Sequence, residues 1–272
     1  MTRLIIESGR SHREYWRDLW RYRELFYVLA WRDLSVRYKQ TAIGVVWALL
    51  QPFITMILFT FIFGRLAKMP SGGIPYPLLV LAGTLPWQFI SMSLSGASQS
   101  LVSNSNLISK VYFPRMIIPA SAVVTSLADL LIQLLLVAAT MAWYHVWPTW
   151  RIVVLPGFVF IAFLAALGPG LLITALNVTY RDFRYIIPFI VQCGFFISPV
   201  GYLSSAVSEK WRLLYSLNPA VGVIDGFRWA LLGGENQIYF PGFILSLVMS
   251  AILLWLGIWY FRKMERTFAD VI

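Results

Sequence analysis

Asp129 is the one carboxylate set well inside a long apolar stretch of this chain, with Gln133 one helical turn further on. A charge there costs about 2.5–3.5 kcal/mol at the centre of a bilayer, so it must face protein or water. Two chemistries fit. A proton-coupled carrier uses such an acid in a relay; a helix bundle can also simply hold one carboxylate by hydrogen bonds. Asp225 and Arg228 stand three residues apart, close enough to pair on a short helix. Trp47, Gln51, Phe53 and Phe59 fall in one apolar run, and Phe195, Phe196 and Tyr202 in another. Aromatic rings stack on the apolar faces of sugars, which makes Trp47, Gln51, Phe53, Phe59, Phe196 and Tyr202 candidate channel-lining positions. Packing against lipid or core accounts for the same aromatics without any cargo.

Other chemistry is missing. The chain has no Gly-x4-Gly-Lys-Ser/Thr run, and no Gly-Lys pair at all, so it carries no P-loop. It has no His-Glu-x-x-His, no Gly-x-Ser-x-Gly and no metal-spaced cluster. Its single cysteine, Cys193, excludes an internal disulfide, and its two histidines, His12 and His145, lie far apart. The 12 acids stand mostly in tails and turns, which does not suit a membrane glycosyltransferase. An enzyme acting alone is not expected, nor is a bound metal.

These residues sit in a chain of 272, of which 59% are hydrophobic and only 12% charged, with a mean hydropathy of +0.71. A soluble domain carries about 25% charged residues. So much apolar surface cannot be hidden in one aqueous core, and the bilayer must be its solvent. The formal charge of +10 raises the question of nucleic acid. Its distribution answers otherwise: nine of the 22 basic residues lie between Arg3 and Lys39, just ahead of the first apolar run. Cations in that position mark a cytoplasmic flank and hold anionic headgroups, and Arg32, Arg37 and Lys39 are the nearest to the membrane.

The fold class expected is an all-α membrane protein with six spans. They run roughly over 43–64, 76–101, 116–143, 152–177, 185–202 and 243–261, and each stretch is long enough to cross about 30 Å of hydrocarbon. Gln51-Pro52 lies mid-way in the first span, Gly83 and Pro86 break the second, and Gly168-Pro169-Gly170 lies inside the fourth. Before them, Trp16, Leu19, Trp20, Phe26, Tyr27, Ala30 and Leu34 recur at helical steps, which predicts an amphipathic interface helix over 12–40. Residues 204–241 are too polar for one span and too apolar for a free loop, so two short helices re-entering the membrane are expected there. The domains are then residues 1–41, a membrane domain over 42–262 and a tail over 263–272. With six spans, sixteen of the 22 Lys and Arg fall on the side of the termini, which places both termini in the cytoplasm. The first 40 residues are long, polar and acid-containing, unlike a signal peptide, so insertion is expected to rely on the first span. No strong internal repeat points to an inverted-repeat carrier.

Three segments and the turn between spans 4 and 5 carry a family likeness. Leu29-Ala30-Trp31-Arg32-Asp33-Leu34-Ser35-Val36-Arg37-Tyr38-Lys39-Gln40-Thr41, followed by Gly44, Trp47 and Gln51-Pro52, resembles the approach to span 1 in ABC-2-type polysaccharide-export permeases. Lys110-Val111-Tyr112-Phe113-Pro114-Arg115 resembles their segment after span 2, and Asn177-Val178-Thr179-Tyr180-Arg181-Asp182 the turn before span 5. Ser198-Pro199-Val200 with Leu217-Asn218-Pro219 resembles their outer region. Together these segments cover nearly the whole chain in order.

The resemblance implies the membrane subunit of an O-antigen or teichoic-acid exporter in a bacterial inner membrane. It implies a homodimer bound to two copies of a separate ABC ATPase, which holds ATP and Mg, while this chain holds no cofactor. It places an ATPase-coupling segment over about 102–114, with Asn104, Asn106, Leu107, Lys110, Tyr112, Phe113 and Arg115 as its residues and Tyr180, Arg181 and Asp182 as a second cytoplasmic turn. The cargo implied is a polysaccharide on a polyprenyl pyrophosphate, with Arg32, Arg37 and Lys39 guiding the pyrophosphate head. Three rivals remain: a gradient-driven carrier using Asp129, an ABC-2 mover of drugs or lipids, and a membrane scaffold.

Overall fold

The computed structural model describes residues 12–39, 44–180, 182–233, 238–265 and 267–268, and every regular element among them is helical. Five segments are long and apolar enough to cross a membrane. They are α3 (Gly44–Phe59, continued by a π-helical stretch Thr60–Leu66), α4 (Tyr76–Ser103), α6 (Ile117–Trp143), α7 (Leu155–Thr179, preceded by a 3₁₀ turn Trp150–Val154) and α11 (Phe240–Met264). The stretch read as the fifth span is shorter than expected: α8 (Phe183–Ile197) has 15 residues and stops before Tyr202. At 1.5 Å per residue it reaches roughly 22 Å. The chain leaves the helix at Ser198-Pro199, and the carbonyls of Val200 and Tyr202 are taken up by the buried guanidinium of Arg228.

α4 is the axis of the molecule. Of its most apolar window 83% is buried, against 11% for α3, and it packs on α3, α6, α7 and α8. The break expected at Gly83 and Pro86 does not occur; α4 runs through both as a helix of 28 residues. A side chain at Gly83 would stand 2.6 Å from the Arg228 guanidinium and 2.7 Å from the Val200 carbonyl, so this glycine serves close approach. α7 is likewise unbroken through Gly168-Pro169-Gly170. There a Cβ on Gly257 of α11 would meet the Gly168 carbonyl at 2.1 Å, so the two backbones touch with no side chain between them. Small residues allow such contact where dispersion, and not the hydrophobic effect, holds helices together.

The two ends of the bundle differ. At one end α9 (Glu209–Tyr215) and α10 (Pro219–Leu232) follow α8, so residues 204–232 do form two short helices. α9 is largely exposed. α10 is buried against α4, α7 and α11, and Asn218 caps it by accepting the Ala220 amide. Asp225 and Arg228 interact electrostatically, as their spacing suggested, but the hydrogen bonds of the guanidinium go elsewhere. Arg228 donates to the carbonyls of Leu79 (3.2 Å), Val200 (2.9 Å) and Tyr202 (2.8 Å), while Asp225 lies beside Ser204. A guanidinium is a rigid fork of five donors, and three backbone carbonyls converging on it match that fork better than one carboxylate on its own helix.

At the other end a second core forms around Leu101, Ile108, Phe113, Ile117, Val178 and Phe261. The N-terminal segment packs on it as two helices, α1 (His12–Arg21) and α2 (Arg23–Lys39). The single stripe expected there resolves into two faces. Tyr15, Leu19, Tyr22, Phe26, Leu29 and Ala30 turn into the protein. Trp16, Trp20, Tyr27 and Trp31 point away from it. The predicted stripe mixed the two sets, because both follow steps of three and four residues.

Candidate functional site

α4 ends at Ser103, Asn104 leaves helical geometry, and α5 (Ser105–Lys110) forms a six-residue helix across the end of the bundle. Ile108 and Phe113 sink into the second core, and Leu107 packs partly against it. Asn106, Lys110 and Tyr112 face outward. The candidate coupling residues thus fall into two groups with different work. Asn104 anchors the turn by accepting from Arg32 Nη2 at 2.9 Å and donating to the Ser100 carbonyl at 2.8 Å. Arg115 anchors the far side: its amide donates to Glu265 Oε1 at 2.7 Å and its Nη1 to the Glu265 carbonyl at 2.6 Å.

Glu265, just past α11, therefore clasps the segment after α5. Tyr15 of α1 lies beside it under the Arg262 guanidinium, 4.6 Å from the ring centroid, and Phe268 returns to stack edge-on against Phe261 at 5.2 Å. Burial pushes the Glu265 carboxyl above its ordinary range, against the pull of the Arg115 amide and of Tyr15. Desolvation by the same packing raises the Tyr15 hydroxyl. Nothing in the sequence signalled this clasp, since Tyr15, Arg115 and Glu265 are 100 and 150 residues apart along the chain.

Asp129 is held. Its carboxylate accepts from Arg37 and from the Tyr38 hydroxyl, which ties the last turn of α2 to α6; its side chain is 4% exposed and that of Arg37 38%. Gln133 is buried next to it on the same face, as its spacing suggested. Of the other basic candidates, Arg32 bridges Asp33 (2.7 Å) and Asn104, and Lys39 is exposed. Tyr180 and Asp182 are exposed in the turn before α8, and Arg181 lies outside the described residues, as do Gln40 and Thr41.

The aromatic candidates divide in two. Trp47, Gln51 and Phe53 on α3, and Phe196 on α8, face outward. Phe59 instead stacks on Phe195 (5.3 Å between centroids) and lies against Gly201, and the Tyr202 hydroxyl meets that of Tyr215 at 2.9 Å. Phe59 and Tyr202 thus close the contact between α3, α8 and α9. Between α2, α4 and α6 the structure opens a groove of about 690 Å³, lined among others by Arg32, Arg37, Ser95, Gln99 and Thr125. Sequence reading did not single out Ser95, Gln99 or Thr125. The available signal was a polar ladder on one side of an otherwise buried helix.

No group of acids, histidines and cysteine that could hold a metal occurs among the described residues. Five long apolar helices packed as one bundle define a multi-pass membrane protein. The family is then plain: the membrane-domain model described as "ABC-2 type transporter" matches residues 24–232, and the chain belongs to that family. It is 31% identical over 259 residues to an O-antigen export system permease protein RfbA from Myxococcus xanthus, covering 94% of this chain and 98% of that protein. It is 27% identical over 260 residues to a protein of the same name from Klebsiella pneumoniae, covering 92% and 95%. The polysialic acid transport protein KpsM of Escherichia coli is 24% identical over 247 residues, covering 86% and 91%.

Proposed function

We propose that this chain is the permease subunit of an ATP-driven exporter that carries a lipid-linked polysaccharide, an O-antigen in the first instance, from the cytoplasm across a bacterial inner membrane. The observation that carries the reading is the end-to-end likeness to O-antigen export permeases, in a chain with no P-loop of its own. A hydrophilic polymer cannot cross hydrocarbon unaided, so work must come from another subunit. Two ABC ATPase subunits holding ATP and Mg, docked on a homodimer of this chain, would supply it.

α5 suits that docking. Its outer residues Asn106, Lys110 and Tyr112 are presented to a partner while Ile108 and Phe113 fix it to the ends of α4 and α6. A push on α5 is then felt by the spans. ATP can favour one channel state only through contacts that differ between states, and α5 is where such contacts fit. The exposed apolar faces of α3 and α8 suit a second copy of the chain around a channel, with Trp47, Phe53 and Phe196 toward the cargo. α8 would be the fifth of six spans, α9 and α10 the re-entrant outer helices, and the outward aromatics of α1 and α2 the headgroup contact, with both termini in the cytoplasm.

Capsular polysaccharide is the second reading, favoured by the likeness to the polysialic acid transport protein. A gradient-driven carrier loses ground, because Asp129 is engaged by Arg37 and Tyr38 and reads as a structural carboxylate. The test is affinity purification of the chain from its own host in mild detergent. A near-equimolar partner with a P-loop and an ABC signature supports the reading; an intact chain without one contradicts it.

A further inference from the structure

The groove between α2, α4 and α6 sets polar groups beside Val36, Met92 and Ala122, at a depth where a spanning helix should be apolar. Ser95, Gln99 and Ser103 follow one another by one turn each along the outer side of α4, and all three are exposed. Thr125 and Ser126 of α6 and Asn104 complete the lining with Arg32 and Arg37. Ser95 lies two turns, roughly 12 Å, inside the end of α4, and Asp129 roughly 18 Å along α6 from its start. Exposed polar groups at that depth need water or a polar ligand to satisfy them.

The charges of the groove are already balanced. Arg32 is paired with Asp33 and Arg37 with Asp129, so the lining offers an anion little net attraction. What remains is a set of neutral groups. Thr125 and Ser126 donate their hydroxyl protons to the carbonyls of Ser121 and Ala122, which leaves oxygen lone pairs as acceptors. The exposed Gln99 amide adds both a donor and an acceptor, while Asn104 is engaged by Arg32 and the Ser100 carbonyl. Such a set, in a space of about 690 Å³, matches a ligand that is rich in hydroxyls and uncharged.

We propose that this groove is a carbohydrate site that holds sugar units of the cargo on the cytoplasmic side, and that it selects them by hydroxyl hydrogen bonds and not by phosphate charge. The inference rests on the polysaccharide-export reading above. It reassigns Arg32 and Arg37 from pyrophosphate guides to rim residues held by their own carboxylates.

The test fills the groove. A Cβ on Gly96 meets nothing closer than Ala122 at 3.8 Å, so there is room for a side chain to start at this lining position, and Gly96→Phe or Gln99→Phe one turn away should fill the groove. In the host, each should cut surface polysaccharide at least tenfold, accumulate lipid-linked glycan in the cytoplasm, and leave permease and ATPase assembled. Gly157→Leu, where a Cβ finds open space on α7, controls for added bulk. Binding is read separately on the whole complex with Cys193→Ser and Ser95→Cys. A charged maleimide should label Cys-substituted position 95, and the host's lipid-linked glycan should slow labelling at least fivefold, while polyprenyl pyrophosphate without sugar should not.

Wild-type export from both filled variants, absent labelling, labelling that glycan leaves unchanged, or equal protection by the sugar-free lipid would each overturn the site. If the wild-type chain itself exports no polysaccharide, it is the proposed function that fails, and the two failures are told apart.

Discussion

Asp129→Asn leaves Arg37 and Tyr38 with a neutral acceptor in place of the charge they share. A hydrogen bond to a charged group contributes about 1.5–3 kcal/mol, and the 38% exposure of Arg37 keeps the loss toward the low end of that range. The variant should be less stable in detergent by that amount, and Arg37→Gln should cost less in the Asp129→Asn background than alone, since the two share one ion pair. Full additivity in the double variant would contradict the pairing. Glu265 gives a pH signature. Its carboxyl is raised by burial, so the folded state holds the proton more tightly than the unfolded one. Its contribution to stability is full below the ordinary carboxylate range and declines as pH rises toward the raised value. Glu265→Gln keeps the oxygen that accepts the Arg115 amide and removes the titration, so its melting midpoint should lose that slope. A slope unchanged in Glu265→Gln would assign it to another group. The sequence announced Asp129 through its apolar surroundings but could not name its partners, because Arg37 lies 92 residues away.

Helices and their junctions carry the next set of consequences. Phe113→Ala empties a buried site at the foot of α6, and truncation of a buried Phe costs about 3–5 kcal/mol, so α5 should come loose and the permease should accumulate poorly. Tyr112→Ala, one residue earlier and half exposed, should cost clearly less stability than Phe113→Ala and lower ATPase stimulation instead. Equal effects of the two on stability would remove the division between anchoring and presenting residues. Gly257→Leu would drive a side chain into the Gly168 carbonyl and should abolish accumulation of the folded chain in the membrane. Span positions were readable from hydropathy alone, to within three residues at most boundaries. The break in the second span was misread, because Gly83 and Pro86 are local signals whose outcome depends on neighbours. Buried among other helices, α4 and α7 keep their path, and the glycines become contact points. α8 was read too long for the converse reason: Val200 and Tyr202 look apolar enough to continue a span, and only Arg228, 26 to 28 residues on, shows where their carbonyls go.

At the scale of the whole molecule, the family was legible because several weak segments occurred in the right order, and the all-helical fold because the apolar runs are long enough to span. The groove was not, since its lining comes from α2, α4 and α6 and no single stretch spells it. The same limit applies to the Glu265 clasp, which joins both ends of the chain to the segment after α5. Together they give the molecule one end at which the N-terminal helices, the α5 segment and the residues after α11 share one core. The central claim is that ATP hydrolysed by a partner, not an ion gradient, moves a polysaccharide through this chain. Inside-out vesicles bearing the permease and its ATPase, given radiolabelled lipid-linked glycan, test it most directly. Transfer into the lumen should require ATP and persist after a protonophore collapses the gradient. Transfer that proceeds without ATP and stops with the protonophore would contradict the account and return Asp129 to the centre of the mechanism.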